Sequence, residues 1–229
     1  AMIIWAVPAF PQTPPVAIDY EAARLARVVS AIRVTGQMSI DGHLEEPEWT
    51  EAVPATGFTT LIPRPGEPSS ERTEVRFLYD DDNLYVGFTC FDSVPNKNVV
   101  VLRRDFASQE SDGVSITLDT LHDRRSGFQF GSNPAGAKRD SQISNNSQFN
   151  NDWDAVWDVK TSISSEGWIA EFVIPFKTLR FSQPPAQEWG VNLSRFVVRR
   201  NEQSFWSPLP PRYNMTRMSQ AGTLKGIDS

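Results

Sequence analysis

The segment Thr73–Phe91, TEVRFLYDDDNLYVGFTCF, decides the fold class of this chain. Two runs rich in β-branched and aromatic residues, Thr73–Tyr79 and Leu84–Phe91, flank the polar tetrapeptide Asp80-Asp81-Asp82-Asn83. Such runs are typical of strands, and aspartate and asparagine favour turns because their side chains bond nearby backbone amides. The segment is therefore predicted to form a β-hairpin.

Further strand candidates follow this hairpin at regular spacing. The run Asp112–Asp119 alternates apolar and polar residues, as a half-buried strand does. A second hairpin is predicted for Asp154–Ile163 and Gly167–Ile174, across a polar turn. The remaining candidates are Gly127–Ser132, Lys138–Ser144, Trp189–Arg199 and Gly222–Leu224. Many short strands with regular turns predict an all-β fold, an antiparallel β-sandwich of jelly-roll or immunoglobulin-like type.

Helical patterns are few and short. The run Tyr20–Ile32 is rich in Ala, Leu and Arg with near-helical apolar spacing, which predicts a short N-terminal helix that caps the sandwich. One-turn helices are predicted at Pro47–Ala52 and Pro175–Leu179, because proline suits the first helical position. Residues 1–19 form a Pro-rich N-terminal segment, and residues 20–229 are predicted to form a single domain.

Composition limits the possible ligands. The chain has 229 residues and a net charge of −6, which argues against nucleic acid, since a phosphate backbone needs concentrated Lys and Arg. A neutral or cationic ligand suits this charge better. No apolar run approaches the ~20 residues that span a bilayer. Cys90 is the single cysteine, so it forms no intrachain disulfide, and its apolar neighbours predict a buried thiol.

Motifs for catalysis and for common cofactors are missing from the sequence. His43 and His122 are the two histidines, and no Ser-His-Asp pattern, His-x-x-x-His pair or Gly-rich phosphate loop occurs. His43 lies in a predicted turn after Ile40-Asp41-Gly42. We therefore expect a non-catalytic domain with no haem and no nucleotide.

Four stretches, in this order along the chain, resemble the signature motifs of the family 9 carbohydrate-binding modules. They are Ile40–Trp49 (IDGHLEEPEW), Leu78–Val86 (LYDDDNLYV), Ser111–Asp119 (SDGVSITLD) and Gly167–Pro175 (GWIAEFVIP). The resemblance implies a β-sandwich that binds a glycan or small sugar as an accessory module of a larger secreted or envelope protein. Attachment to carbohydrate-degrading or uptake machinery is a further implication.

Shorter phrases are similar to one bacterial subgroup of this family, in which the module precedes an outer-membrane β-barrel. They include Arg103–Asp105, Asn133–Gly136, Trp153–Trp157 and Gly222–Ile227. This similarity implies export to the periplasm, the outer membrane or the cell exterior, with the C-terminal barrel of the same chain as a partner. The apolar start Ala1–Ala9 fits the tail of a secretory signal.

The residues that such modules use for sugar binding are altered in this chain. The family clamps the sugar between two tryptophans, with a glutamate and an arginine on neighbouring strands. Here residues 107–110 contain no aromatic, and Ser115 and Gln129 stand at the glutamate and arginine positions. Tyr213 and Trp206 are the nearest aromatics to the position of the second clamp.

A different aromatic is the better ligand candidate on the sequence. Trp153 and Trp157 share one face of a predicted extended stretch, and Trp153 borders the polar loop Ser144–Asp152. An exposed ring beside amides and carboxylates can stack on a sugar, although a core position for one of the two rings is equally consistent. The predicted ligand-binding residues are Trp153, Asn133, Asp140, Asp152, Arg125 and Trp206. Arg124, Lys138 and Arg139 crowd the same hairpin region, where a solvated surface is the alternative.

Two acidic features have alternative interpretations. Asp80, Asp82 and Asn83 are candidate ligands for a structural calcium ion, because clustered carboxylate and amide oxygens suit it; the same residues also serve as ordinary turn formers. The resemblance also implies structural calcium. Glu171 lies on an apolar strand and is predicted to pair with Arg195, since an unpaired buried carboxylate is costly.

Two functions other than glycan binding stay open on the sequence. One is a structural or interaction domain that docks on its own barrel without sugar, which the missing clamp residues favour. The other is a glycoside hydrolase, which needs two facing carboxylates. No spacing in the sequence identifies such a pair.

Overall fold

The computed structural model describes residues 18–95, 98–181 and 186–228, which form two short helices and fourteen strands. The helices are α1 (Tyr20–Leu25) and α2 (Pro47–Glu51). The strands are β1 (Val28–Ser30), β2 (Ile32–Arg33), β3 (Thr59–Ile62), β4 (Thr73–Tyr79), β5 (Asn83–Phe91), β6 (Gly113–Asp119), β7 (Gly127–Ser132), β8 (Lys138–Ser144), β9 (Gln148–Asn150), β10 (Asp158–Ser164), β11 (Gly167–Pro175), β12 (Ala186–Val197), β13 (Glu202–Phe205) and β14 (Gly222–Asp228).

The strands form two sheets that pack face to face. The larger sheet has nine strands in the order β1-β14-β12-β6-β7-β8-β9, with β13 beside β12 and β3 beside β13. The smaller sheet has five strands in the order β10-β11-β5-β4-β2. Two sheets with one apolar face each bury those faces against one another, which makes a β-sandwich. The predicted fold class is confirmed.

The main core lies between the sheets and is rich in aromatic residues. Alternation on each strand sends every second side chain inward. Trp157 stacks on Phe172 at 5.6 Å between ring centroids, and Phe130 meets Trp157 edge-on at 5.4 Å. Cys90 is fully buried in this core, and burial raises the pKa of its thiol to about 12. The thiol is therefore inert at neutral pH.

A second apolar cluster covers the outer face of the five-stranded sheet. Helix α2 lays Trp49 over Leu78 and Tyr85, and Leu44 packs beside them. Gly87 in β5 makes room for this cover, because a Cβ there would lie 2.8 Å from the Leu44 side chain. The Ile40–Trp49 motif therefore builds the fold, and Trp49 and Trp168 are core residues, as their motifs predict.

The predicted hairpins form with close agreement in their boundaries. Strands β4 and β5 pair from Thr73 with Cys90 to Tyr79 with Leu84. Strands β10 and β11 pair from Asp158 with Val173 to Ser164 with Gly167. Strand β10 begins four residues later than its pattern predicts. Residues 153–157 stay outside the ladders yet keep the predicted alternation, with Trp157 buried and Asp154, Val156 and Asp158 exposed.

The N-terminal helix is shorter than predicted. It ends at Leu25, and the chain then adds β1 beside β14 and β2 beside β4, both in parallel. Tertiary pairing overrides a weak helical preference here, and the sandwich is not purely antiparallel. Most of the Pro-rich segment 1–19, including Ala1–Ala9, lies outside the described residues. None of the described helices has the length and apolar character that crossing a membrane requires.

Candidate ligand-binding site

The outer face of the nine-stranded sheet carries mostly polar side chains. In β6, Val114, Ile116 and Leu118 point into the core, so Ser115 and Thr117 face outward. Gln129 in β7 and Ser194 in β12 lie on this outer face beside them. Such a row of hydroxyls and amides on a rigid sheet can position a polar ligand.

Part of this outer face is covered by the segment that joins β13 to β14. The Sδ atom of Met215 lies 2.8 Å from Gln129 Nε2 and 3.5 Å from Ser194 Oγ. Gln129 is consequently only 1% exposed. Ser115 is 7% exposed and lies beside Gly131.

A cleft of about 310 Å³ opens beside the covered region. The loop before β6 supplies one wall, β8 forms the floor, and β9 with the following turn supplies the other wall. Its lining includes Phe106, Ser108, Arg139, Asp140, Phe149 and Asn151. The volume lies at the lower end of the ~300–1,000 Å³ range of small-ligand pockets. We refer to this feature as the β8 cleft.

Arg139 lies at the floor of the β8 cleft and is held by neutral groups. Its guanidinium donates to Ser108 Oγ and, at 3.2 Å, to Gln129 Oε1. The ring centroid of Phe106 lies 5.8 Å from Arg139 Cζ. Gly131 admits this arrangement, because a Cβ there would lie 2.8 Å from Arg139 Cγ. Burial lowers the pKa of Arg139, against the opposing charge of Asp105.

The other charges at the cleft are already paired. Arg104 donates to Asp140 Oδ1 at 2.6 Å and also to Asp154. The second oxygen of Asp140 accepts the backbone N–H of Ala155 at 2.7 Å. Burial raises the pKa of Asp140, although these two partners oppose the shift. Arg103 pairs with Glu110 at the rim.

Phe149 presents the aromatic surface of the cleft. It lies on β9 at the edge of the sheet and is 40% exposed. The amide of Asn151 follows on the same wall. The sequence pattern places Phe149 in the polar loop Ser144–Asp152 and does not predict a role for it. A lone aromatic inside a polar run is the signal that would have identified it.

Trp153 does not line the β8 cleft. Its ring packs on Phe128 at 5.0 Å and on Phe130 at 5.9 Å between centroids, and it is half-buried against the main core. These two phenylalanines alternate with Gln129 along β7, so they face the opposite side of the sheet. Trp153 thus closes an edge of the sandwich.

Two predicted ligand residues are structural, and their assignment is corrected here. Asn133 is fully buried; its amide donates to Val101 O at 2.7 Å and its carbonyl accepts from Ala135 N and Ala137 N. Trp206 is 2% exposed in the core. Neither side chain has a surface left for a ligand.

The remaining predicted ligand residues are spread over different places. Asp140 lines the β8 cleft with its carboxylate engaged as described. Asp152 is exposed in the turn after β9, outside the cleft lining. Arg125 is exposed and donates to Asn145 Oδ1 at 2.9 Å, which joins the loop before β7 to the turn after β8 at the open end of the β7–β8 hairpin. The structure therefore brings one predicted residue, Asp140, to the cleft.

The acidic turn between β4 and β5 does not fit a calcium ion. One oxygen of Asp80 accepts from the backbone N–H groups of Asp82 and Asn83, and the other accepts from the hydroxyl of Tyr85 at 2.6 Å. A cation would have to displace these donors. Across the described residues, no three acidic, histidine or cysteine side chains gather to hold a metal. Calcium binding stays a prediction from the resemblance.

The predicted Glu171–Arg195 pair is wrong. Glu171 Oε2 accepts from the backbone N–H groups of Asp41 and Gly42, each at 3.0 Å, while Oε1 has no partner. Burial raises the pKa of Glu171 to about 7, against these two hydrogen bonds. Arg195 instead bonds Arg72 O and Thr73 Oγ1 and lies 3.7 Å from Asp92.

The two packed sheets place the chain in the class of β-sandwich domains, here with a polar cleft on one sheet. Comparison with protein families narrows the class, because the model of the carbohydrate family 9 binding domain-like family matches residues 40–203. The chain belongs to this family.

Solved structures with the same fold include carbohydrate-binding proteins. A family 9 carbohydrate-binding module from Caldicellulosiruptor kristjanssonii, in complex with cellotriose, is 17% identical with a TM-score of 0.58, and 89% of this chain and 95% of that one are covered. A putative carbohydrate-binding protein from Bacteroides uniformis is 15% identical with a TM-score of 0.67, over 88% and 99%. No curated protein sequence matches the chain.

Proposed function

We propose that this domain binds a glycan in the β8 cleft. Membership of a carbohydrate-binding family supplies the ligand class, and the cleft supplies the groups that such a ligand requires. A sugar ring has one apolar face that stacks on an aromatic side chain, and hydroxyls that bond to amides and guanidinium groups. Phe149 offers the stacking surface, and Arg139 and Asn151 offer hydrogen bonds to the hydroxyls.

One observation carries this proposal: an exposed aromatic ring stands next to a guanidinium and an amide in the same concave site. Elsewhere on the outer face, the side chain of Gln129 lies against Met215. A ligand in the β8 cleft therefore meets this sheet at β8 and β9.

The Phe149→Ala variant tests the placement of the ligand. We expect it to weaken glycan affinity roughly tenfold, because the stacking surface is lost. Isothermal titration against a panel of neutral and acidic oligosaccharides measures this effect. The Leu121→Ala variant is the control, since Leu121 is 49% exposed and lies outside the cleft lining.

Two results would contradict the placement. Binding that survives Phe149→Ala but is lost in Trp153→Ala would move the ligand to the predicted tryptophan. The absence of binding to every glycan of the panel would remove the proposed function. Melting temperatures of the variants are needed beside the titrations, because Trp153 packs on the core.

The wider context is also a proposal. The domain acts as the non-catalytic accessory module of a larger exported protein that handles carbohydrate at the cell envelope, with an outer-membrane barrel in the same chain as its partner. The resemblance of Trp153–Trp157 and Gly222–Ile227 to the barrel-linked subgroup supports it. Cell fractionation of the full-length protein, with antibody detection of this domain, tests the localisation.

A second candidate function is an interaction domain that docks on its barrel without sugar. The cover of Met215 over Gln129 favours it, since Gln129 stands at the arginine position that the family uses for sugar and is closed to solvent. Binding of this domain to the isolated barrel, unchanged by any glycan, would select this alternative. We expect no turnover of aryl glycosides, because Asp140 is engaged by Arg104 and Ala155 and so is not poised for catalysis.

A further inference from the structure

The β8 cleft contains one arginine, Arg139, that forms no ion pair among the described residues, although Asp105 lies near enough for its charge to act on it. Arg139 bonds to the hydroxyl of Ser108 and the amide oxygen of Gln129, both of which are neutral. Among the described residues, no carboxylate oxygen forms an ion pair with it, although Asp105 lies on the same cleft wall. This arrangement differs from that of the other arginines nearby.

The acids around the cleft are taken by those other arginines. Asp140 and Asp154 both accept from Arg104, Glu110 accepts from Arg103, and Asp105 Oδ2 lies 3.5 Å from Arg104 Nε. The ion pairs of these carboxylates are therefore made with Arg103 and Arg104, whereas Asp105 acts on Arg139 only at longer range, and Arg139 lines the open volume without an ion pair. A ligand at the floor of the β8 cleft would therefore contact the charge of Arg139.

A partly buried guanidinium that forms no ion pair lowers the stability of the folded protein, because its charge is desolvated. Burial accordingly lowers the pKa of Arg139. A ligand that brings a negative charge recovers this cost on binding. The guanidinium has five N–H donors in a planar fork that matches the two oxygens of a carboxylate. Ser108 and Gln129 fix the orientation of the fork and leave further donors free.

From this geometry, and in contrast to the neutral or cationic ligand that the net charge of −6 favours, we propose that the glycan bound in the β8 cleft is acidic, a uronic acid residue or similar carboxylated sugar, and that Arg139 binds its carboxylate. This inference rests on the proposed function and adds the chemical class of the ligand. The apolar face of the same ring stacks on Phe149 while Asn151 bonds a hydroxyl.

Matched sugars that differ only at C6 provide the test. Titration compares glucuronate with glucose and galacturonate with galactose, each as the methyl glycoside and as short oligomers of equal length. We expect the acidic member to bind tenfold more tightly or better, on the order of what one charge-assisted hydrogen-bonded pair contributes. In the Arg139→Met variant this preference should disappear. The control variant Arg64→Met removes the same charge from an exposed residue outside the cleft lining. The preference for the acidic sugar should persist in this variant.

A second variant leaves Arg139 in place, so the test does not depend on how Arg139→Met folds. Asp105→Asn removes the more exposed of the two acids that line the cleft, Asp105 and Asp140, and so reduces repulsion of a bound carboxylate; asparagine tolerates the left-handed backbone there, with φ of 55°. We expect a severalfold gain for the acidic sugar and no change for its neutral partner.

The outcomes separate this inference from the function on which it rests. Equal affinity for acidic and neutral sugars overturns the acidic class and leaves glycan binding intact. A preference for acidic sugars that persists in Arg139→Met overturns the role of Arg139. No binding to any sugar of either series overturns both proposals.

Discussion

Two regions of this domain bury arginine, and they do so in opposite ways. Beside the end of β5, Arg195 and Arg199 share the buried carboxylate of Asp92, and Glu71 adds a second acid. In the β8 cleft, the hydrogen-bond acceptors of Arg139 among the described residues are a hydroxyl and an amide oxygen, both neutral. A charge matched within the protein is part of the fold, whereas a charge left for solvent or ligand serves recognition.

The largest effect is expected at the matched region. Asp92→Asn leaves Arg195 and Arg199 without the acid between them, and Arg195 is almost fully buried. Breaking a buried ion pair on one side costs about 3 kcal/mol or more, because the remaining charge stays desolvated. Chemical denaturation measures the free energy of unfolding.

The control for this substitution is Asp81→Asn. Asp81 pairs with Arg33 at the surface and is 84% exposed, so its loss should change the unfolding free energy by less than about 0.5 kcal/mol. If the two variants were equally mild, the Asp92 cluster would not be a structural ion network.

A third buried charge lies between these two extremes. Glu171 is held by the backbone amides of Asp41 and Gly42 and forms no ion pair among the described residues. The charges of Glu46 and Asp41 add to the effect of burial on its pKa. Its pKa rises from the ordinary 4.5 to about 7. The folded state therefore binds a proton more tightly than the unfolded state does, and stability should fall as the pH rises from 4.5 through 7.

The Glu171→Gln variant isolates this contribution. Glutamine keeps an oxygen for both amides and cannot ionise, so the wild type should lose roughly 3 kcal/mol relative to the variant between pH 4 and pH 8. The difference between the two unfolding free energies across this range measures it, since the other acids titrate alike in both proteins. A difference that does not change with pH would show that Glu171 titrates normally.

The sequence predicts the fold of this domain much better than its site. The hairpins of β4–β5 and β10–β11 are local, so alternation and turn residues along Thr73–Phe91 are enough to place them. Strands β1 and β2 escaped prediction because their partners, β14 and β4, are distant in the chain. The helical pattern of Tyr20–Ile32 carried no sign of that pairing.

The same distinction between local and distant contacts explains the errors at the site. Glu171 is satisfied by backbone groups about 130 residues away, which no side-chain pattern reveals. The polar residues beside Trp153 predict a ligand-binding ring. The alternation of side chains along residues 153–157 instead directs this ring toward Phe128. The sequence shows Arg139 only as one of several basic residues in the hairpin region. Its hydrogen-bond partners could not be predicted, because they depend on how the loop before β6 folds over β8.

The smallest effect is expected at the unmatched arginine itself. Arg139→Met keeps the apolar stem of the side chain and removes a charge that forms no ion pair among the described residues. The unfolding free energy should therefore change by less than about 1 kcal/mol. Gln129 Oε1 keeps the hydroxyl of Ser141 as a donor at 3.1 Å, and Ser108 is half-buried within reach of solvent. Chemical denaturation beside Asp92→Asn measures the contrast. A loss of 2 kcal/mol or more would make Arg139 a structural residue, and the distinction between the two arginine regions would fail.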